Sequence, residues 1–331
     1  MKLYVELGKR GYPIIIERGV ITKIGEHIDL NRKVMIITDS GVPSEYVEIV
    51  KKQCSVAYVH AIPMGEKSKS MVEYEKCLTH MLECSFGRKD LIIAVGGGVV
   101  GDLAGFVAAT YMRGIEFINI ATTTLSQIDS SIGGKVAIDL KGTKNCVGAF
   151  HQPVAVLIDP NTLNTLPSRH FYNGLVEALK VGLTFNESLV NLIEENAEIN
   201  IEQILYESLL IKKNVVEEDE FESGIRKILN FGHTLGHAIE STCNLEELLH
   251  GEAVAIGMLK VIDDEDIKKR VQNICKKWKL PIDVNYNKDV AYEYMLKDKK
   301  GNGTKVSLVL LDKIGHARIE EVSFEELRRK L

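Results

Sequence analysis

The chain has 331 residues, of which 45% are hydrophobic and 26% are charged, and its formal net charge is −5. This composition is typical of a globular protein large enough for two domains, and the acidic balance gives no reason to expect nucleic acid or an anionic membrane as a partner. No apolar run reaches the roughly 18 to 20 residues of a membrane-spanning helix. The six cysteines are scattered without a CxxC pair, so we expect a reducing, cytoplasmic location.

The first half of the chain alternates β-branched runs with amphipathic stretches. The runs predict buried strands over residues 33–39, 56–62, 90–96, 115–123 and 154–159. Amphipathic spacing over 44–53 and 70–84 predicts helices between them. This alternation predicts an α/β domain with a parallel sheet and helices on both faces.

A glycine cluster follows the third predicted strand, at residues 96–98 in "LIIAVGGGVVGDLAG". Such a turn before a helix exposes backbone N–H groups that favour a pyrophosphate, while Gly101 and Gly105 allow close helix packing. The spacing departs from GxGxxG, so a turn that needs glycine only for packing remains an alternative. Asp39, at the end of the first predicted strand, could accept hydrogen bonds from a ribose or simply cap a turn.

The stretch from 122 to 153 is rich in Thr, Ser, Gly, Asp and Lys, and we interpret it as a long functional loop. Its candidate ligand-binding side chains are Asp129, Lys135, Lys144 and Asn145. Each of them could equally be solvated surface when taken alone.

After about residue 160 the pattern becomes mainly helical. Only residues 305–319 look extended, as a hairpin turning at Ile314-Gly315. We therefore predict an α/β domain over residues 1–159 and a mostly helical domain over 160–331, with Pro160 and Pro167 at the boundary.

The segment "NFGHTLGHAIE", residues 230–240, suggests a metal site. His233 and His237 are four residues apart, so a helix would place both on one face, and the flanking glycines would let a ligand approach. Catalytic zinc takes about three protein ligands. Further candidate metal ligands in the second half of the chain are Glu177, His250 and Glu252. The alternative is a pair of helix-face histidines bonded to backbone or carboxylate.

Six segments together resemble the 3-dehydroquinate synthase family. They are "GGGVVGDLAGFVAATYMRG", "TTTLSQIDSSIGGK", "GTKNCVGAFHQP", "GLVEALKVG", "NFGHTLGHAIE" and "LHGEAVAIGM", and the match runs from about residue 39 to 303. That family resembles the glycerol and iron-dependent alcohol dehydrogenases in fold. The resemblance implies an NAD-binding α/β domain, a helical metal-binding domain and an active site in the cleft between them.

The resemblance also implies the metal ligands. Carried over to this chain they are Glu177, His233 and His250, binding Zn²⁺ or Co²⁺. His237 would act on the substrate instead, which overrules the helical-pair interpretation. Val181 stands after Lys180 where the family leads us to expect a bulkier residue, so the floor of the pocket would differ.

Further site residues follow from the resemblance alone. For NAD they are Asp39, Glu66, Lys69, Gly98, Val99, Val100, Gly101, Asp102, Thr122, Thr123, Lys135, Lys144, Thr162, Leu163, Asn164 and Thr165. For the substrate and catalysis they are Asp129, Lys135, Asn145, Lys180, Lys212, Arg226, Asn230 and His237, with Lys299 or Lys300. Lys213 is the rival of Lys212, and Arg113 would reach across the interface of a homodimer.

The implied reaction is that of a carbon–oxygen lyase. 3-Deoxy-D-arabino-heptulosonate 7-phosphate would become 3-dehydroquinate and phosphate through transient oxidation by NAD, phosphate β-elimination, re-reduction, ring opening and an intramolecular aldol step. The enzyme would serve the shikimate pathway. Three alternatives remain: a sister sugar phosphate cyclase, an NAD- and metal-dependent polyol dehydrogenase, and a binding protein without activity.

Overall fold

The computed structural model of the protein describes residues 1–243, 248–298 and 305–331. The chain forms two compact units, one of Met1–Pro167 with Lys212–Glu217, the other of Ser168–Ile211 with Glu218–Leu331. The predicted boundary after residue 159 lies a few residues before the end of the first segment. No helix of the described residues is long and apolar enough to cross a membrane.

The first unit contains a seven-stranded sheet with the strand order β1-β2-β9-β6-β5-β3-β4. The strands are β1 (Lys2–Val5), β2 (Tyr12–Ile16), β3 (Lys33–Asp39), β4 (Val56–Ile62), β5 (Leu91–Gly96), β6 (Glu116–Ala121) and β9 (Ala155–Ile158). β1 pairs antiparallel with β2, and every other pair of neighbouring strands is parallel. The five strands predicted from β-branched runs are confirmed, whereas β1 and β2 were not predicted.

Helices cover both faces of this sheet, as predicted. They are α1 (Ser44–Lys51), α2 (Met71–Glu83) and α3 (Gly98–Thr110). Successive residues of a strand point to opposite faces. Val34 and Ile36 of β3 accordingly pack in one core with α1, while Met35 and Ile37 pack in the other with α2 and α3.

The polar stretch from 122 to 153 is not the long loop that we predicted. It contains a π-helical turn, Ser126–Ser130, and then an antiparallel hairpin of β7 (Lys135–Leu140) and β8 (Thr143–Phe150). Val136 and Ile138 are buried in the core that contains α3, while Lys135, Ala137 and Asp139 at the alternate positions are more exposed. A half-buried strand needs an apolar residue only at every second position, so the composition of such a strand resembles that of a loop.

The second unit is mainly helical. Its helices are α4 (Ser168–Phe185), α5 (Glu187–Asn196), α6 (Ile201–Glu218), α7 (His233–Glu240), α8 (His250–Val261), α9 (Glu265–Lys277), α10 (Lys288–Asp298) and α11 (Phe324–Lys330). Six residues near the end of α6, Lys212–Glu217, belong to the first unit. The predicted hairpin is confirmed as β10 (Lys305–Lys313) and β11 (His316–Ser323), and Gly315 has a φ of +82° in its turn.

Candidate active site

Glycines bring α7 and α8 into direct backbone contact in the second unit. A Cβ added to Gly236 would lie 2.8 Å from the carbonyl oxygen of Ala253, and one added to Gly257 would lie 2.0 Å from that of Gly232. A Cβ added to Gly232 would likewise lie 2.8 Å from the carbonyl oxygen of Val254. Gly232 and Gly236 therefore serve helix packing, which corrects our expectation that the glycines beside His233 and His237 leave room for a ligand. The close packing carries His233, at the start of α7, toward His250, at the start of α8.

A buried carboxylate from α4 faces both of these histidines. Glu177 Oε1 lies 3.7 Å from His233 Nε2 and 3.5 Å from His250 Nε2, and the glutamate side chain is fully buried. Both distances are too long for strong hydrogen bonds. Ligands bonded to zinc at about 2.0 to 2.2 Å in a tetrahedron lie about 3.3 to 3.6 Å apart. The spacing of these three groups thus fits a metal ion between them.

The charges around Glu177 are coupled. Burial alone would raise its pKa, but Lys180, which forms an ion pair with it, and the two histidines hold the pKa well below its usual range. Burial, with Lys180 adding to it, lowers the pKa of His233 well below the ordinary value, whereas Glu177 outweighs burial and raises that of His250. A carboxylate and a neutral imidazole are the ionisation states that a divalent metal requires.

His237 belongs to the same cluster. A ligand nitrogen from each of His233, His237 and His250 can be chosen so that all three lie within 4.8 Å of one another. The structure therefore brings together the helical pair His233 and His237 and the set of Glu177, His233 and His250 that the resemblance implies. Glu252, the remaining candidate, faces Arg169 and the backbone of Leu249 instead.

A cavity of about 540 Å³ opens in front of this cluster, within the second unit. Its lining includes His233, His237, Asn230, Lys227 and Glu222. Glu222 accepts a hydrogen bond of 2.7 Å from Asn230 Nδ2 and has a φ of +61°. Glu222 was not predicted from the sequence, because an isolated glutamate in a polar turn carries no local signal. Its position between Lys212 and Arg226, two predicted substrate contacts, was the only available indication.

Arg226 is held by a tight turn. Asp219 accepts hydrogen bonds from the backbone N–H groups of Ser223, Gly224 and Arg226 at 2.9, 2.7 and 3.1 Å. Burial opposes ionisation, but these N–H donors outweigh it and lower the pKa of Asp219. The buried guanidinium of Arg226 donates to the carbonyl of Glu220.

In the first unit, Lys69 is the centre of the predicted nucleotide-binding residues. Its Nζ lies 2.7 Å from Asp102 and 3.4 Å from Glu66, and it also donates to Asn145 Oδ1. Burial lowers the pKa of Lys69, but the two carboxylates outweigh it and the net direction is upward. Burial raises the pKa of Asp102 to about 6, against the effect of Lys69.

The glycine cluster leads into α3 as predicted. Gly97 caps the helix in an extended conformation, and a Cβ added to it would lie 3.0 Å from the side chain of Thr123. The side chain of Val100 is fully buried in the core, so only its backbone is available to a ligand. Gly105 packs against Val136, since an added Cβ would lie 2.3 Å from it, which confirms the predicted packing role.

A buried amide organises the threonine segments at the ends of β6 and β9. Gln127 Nε2 donates to the carbonyls of Ala121 and Asp159 and to the hydroxyl of Thr162, at 2.9, 3.1 and 3.0 Å. Thr165 forms a hydrogen bond of 2.9 Å with the hydroxyl of Tyr46. Gln127 was missed from the sequence because nothing local shows that its side chain points into the core.

The remaining predicted residues fall into three groups. Lys212 contacts the carboxylate and carbonyl of Asp129 at 2.7 and 2.6 Å, whereas Lys213 pairs with Glu217. Asp39 Oδ1 accepts a hydrogen bond from the N–H of Gly41, the turn-capping contact that was its alternative role. Lys135 and Lys144 lie on the β7–β8 hairpin, and Arg113 lies in an exposed turn. Thr122 is buried after the end of β6, and the helical turn Pro160–Thr165 contains the buried Leu163 and the exposed Asn164. Lys299 and Lys300 lie outside the described residues.

Comparison with known proteins agrees with these observations. The family model described as 3-dehydroquinate synthase N-terminal matches residues 59–173, and the one described as 3-dehydroquinate synthase C-terminal matches residues 174–301. The 3-dehydroquinate synthase of Streptococcus mutans is 40% identical over 100% of this chain and 99% of its own length. That of Clostridium acetobutylicum is 41% identical over 99% and 98%.

Solved structures agree in fold. A 2-epi-5-epi-valiolone synthase from Streptomyces hygroscopicus with NAD⁺ and Zn²⁺ bound has a TM-score of 0.88 and 26% identity, over 96% of this chain and 95% of that one. A glycerol dehydrogenase from Schizosaccharomyces pombe has a TM-score of 0.67 and 17% identity, over 96% and 87%. Because both family models match and these synthases are 40% and 41% identical over almost the whole chain, the chain belongs to the 3-dehydroquinate synthase family.

Proposed function

We propose that the chain converts 3-deoxy-D-arabino-heptulosonate 7-phosphate to 3-dehydroquinate and phosphate. It is then a phosphate-eliminating lyase of the shikimate pathway, which leads to chorismate and the aromatic amino acids. The observation that carries this function is the buried Glu177 facing His233 and His250, in a chain about 40% identical over its full length to enzymes of that name.

The cofactors are NAD⁺ and a divalent metal, Zn²⁺ or Co²⁺. The 26%-identical cyclase solved with NAD⁺ and Zn²⁺ supports both. The metal would be bound by Glu177, His233 and His250. The nucleotide would bind near Lys69, Asp102 and the start of α3. When bound, the metal supplies Lewis acidity toward hydroxyl oxygens and NAD⁺ supplies a reversible hydride acceptor.

The chain's own side chains provide charge and proton transfer. Lys212, fixed by Asp129, and Arg226, fixed by the Asp219 turn, offer cations to a substrate that carries a carboxylate and a phosphate. Lys180 keeps Glu177 ionised, and the imidazole of His237 exchanges a proton with the substrate. Asn145 and Lys135 contribute further polar contacts from the β7–β8 hairpin, and Asn230 does so from the cavity wall.

We also propose a cytoplasmic homodimer. Arg113 is exposed in a turn where its φ is +67°, a strained conformation for a residue with a side chain. Contact of Arg113 with a second copy of the chain would offset the free-energy cost of this backbone conformation. Size-exclusion chromatography coupled to light scattering should give a particle mass of twice the chain mass of 36.9 kDa. A monomer at micromolar concentration would contradict the proposal.

Phosphate release tests the reaction directly. We expect the protein to release phosphate from the heptulosonate phosphate with catalytic NAD⁺, to stop when a chelator removes the metal, and to resume when Zn²⁺ or Co²⁺ is returned. NADH should not accumulate, because the electrons return within each turnover.

Two other outcomes would replace this function. Steady accumulation of NADH without phosphate release would identify a polyol dehydrogenase. Faster release from glucose 6-phosphate or sedoheptulose 7-phosphate than from the heptulosonate phosphate would identify a sister cyclase.

A further inference from the structure

The start of α8 is fixed by a buried carboxylate that does not face the metal cluster. Glu252 is 2% exposed, and its Oε2 accepts a hydrogen bond of 2.9 Å from the backbone N–H of Leu249. The same carboxylate accepts hydrogen bonds from Nε and Nη2 of Arg169 at 2.7 and 2.8 Å. This bidentate arrangement matches the fork of the guanidinium and adds both energy and geometric specificity to the contact.

A second connection joins the same two helices. The N–H of Glu252 donates to Asn173 Oδ1 at 3.1 Å. Gly251 lies directly against α4, because a Cβ added there would be 2.0 Å from the carbonyl oxygen of Asn173. These contacts therefore fix the first turn of α8 in place against α4.

The spacing along α4 relates these contacts to the candidate metal ligands. Arg169, Asn173 and Glu177 are separated by four residues each, so they lie along one face of the helix. Arg169 and Asn173 hold the start of α8, and Glu177 faces His250, the first residue of that helix. The contacts that fix α8 on α4 thus also fix the separation of two ligand atoms.

We propose that Arg169, Asn173 and Glu252 form a clamp, the α4–α8 clamp, that sets the distance between Glu177 and His250 and thereby the affinity of the metal site. These are positioning residues, since they act through the helices. The proposal rests on the metal site of the proposed function. Partners that orient metal ligands without touching the ion typically change metal affinity by about 10- to 100-fold.

Cobalt binding to the metal-stripped full-length chain measures this effect without catalysis. The visible absorption of Co²⁺ reports coordination geometry, and its titration gives the dissociation constant. We expect Arg169→Gln to weaken Co²⁺ binding about tenfold and to change the spectrum, because the helices are no longer fixed. Arg169→Lys should recover part of the loss, since lysine restores the charge without the fork of two donors.

A matched control is available in the same unit. Arg270 forms an equivalent paired contact with Glu194, at 2.7 and 2.6 Å, between α9 and α5. Glu194→Gln should leave Co²⁺ affinity within about twofold and the spectrum unchanged. Glu252→Gln should behave as Arg169→Gln or worse, because it also weakens the cap at Leu249. If Glu252→Gln does not fold, the Arg169 variants still decide, because that side chain is 49% exposed.

The outcomes separate the clamp from the metal site itself. Wild-type Co²⁺ affinity and spectrum in Arg169→Gln would overturn the clamp, as would equal weakening in Glu194→Gln. If the wild-type chain binds no Co²⁺, or His250→Ala binds it equally well, the proposed metal site fails and the clamp fails with it. Loss of binding in His250→Ala with no effect of the clamp variants would remove the clamp alone.

Discussion

The ion pair between Lys180 and Glu177 neutralises the buried carboxylate of the proposed metal site when no metal is bound. Both side chains are almost completely buried, at 2% and 0% exposure. Removing one member of a buried pair leaves an uncompensated charge, which typically costs about 3 to 5 kcal/mol. A bound divalent cation would supply the missing positive charge.

Lys180→Met should therefore lower the free energy of unfolding by about 3 kcal/mol in the presence of a chelator, and by clearly less with saturating Zn²⁺. Urea unfolding under both conditions measures the difference. Lys213→Met, which breaks the more exposed pair with Glu217, is the control and should cost the same with or without metal. An equal cost of Lys180→Met under both conditions would show that the metal does not bind at Glu177.

Arg226 is the residue that we expect to bind an anionic group of the substrate. Arg226→Ala should raise KM for the heptulosonate phosphate at least tenfold, because a charge-assisted contact is worth about 1.5 to 3 kcal/mol. The affinity for NAD⁺, measured by calorimetry, should stay the same. An equal loss of substrate and NAD⁺ binding would show that we have misplaced this residue.

At the scale of elements, the turn from 219 to 226 determines where Arg226 lies. The backbone N–H groups lower the pKa of Asp219, so its folded value is below the unfolded value of about 3.9. The ionised carboxylate thus stabilises the turn at neutral pH. This contribution is present above about pH 4 and is lost as the pH falls through the folded pKa.

Asp219→Asn should therefore be less stable than the wild type at pH 7, and the difference should shrink below about pH 4. Unfolding by urea between pH 7 and pH 3 measures it. The variant should also raise KM for the substrate in the direction of Arg226→Ala. A stability difference that stays constant down to pH 3 would rule out the ionised Asp219 as the cause.

The sequence predicted most elements whose apolar pattern is continuous, although the short buried strand β2 (Tyr12–Ile16) was not predicted. Strands such as β3 and β5 are buried on both faces, so their β-branched runs are unmistakable. β1 and the β7–β8 hairpin have alternating exposure, and their polar residues resemble a loop. The same reason explains why the 122–153 stretch was misinterpreted.

The whole molecule shows why the site was harder to predict than the fold. Spacing alone identified His233 and His237 as helical neighbours, and the structure places both in one cluster. Glu177 comes from α4, and its approach to His250 depends on helix packing that no local pattern encodes. Resemblance to a family supplied that contact, whereas Glu222 and Gln127 became visible only from the folded chain.

A crystal grown with Zn²⁺ and NAD⁺, with anomalous scattering collected at the zinc edge, tests the central claim most directly. We expect one zinc ion bonded to Glu177, His233 and His250 at about 2.0 to 2.2 Å, with the imidazole of His237 outside bonding distance. An ion bonded to all three imidazoles while Glu177 stays paired with Lys180, or no ion at this cluster, would contradict the account.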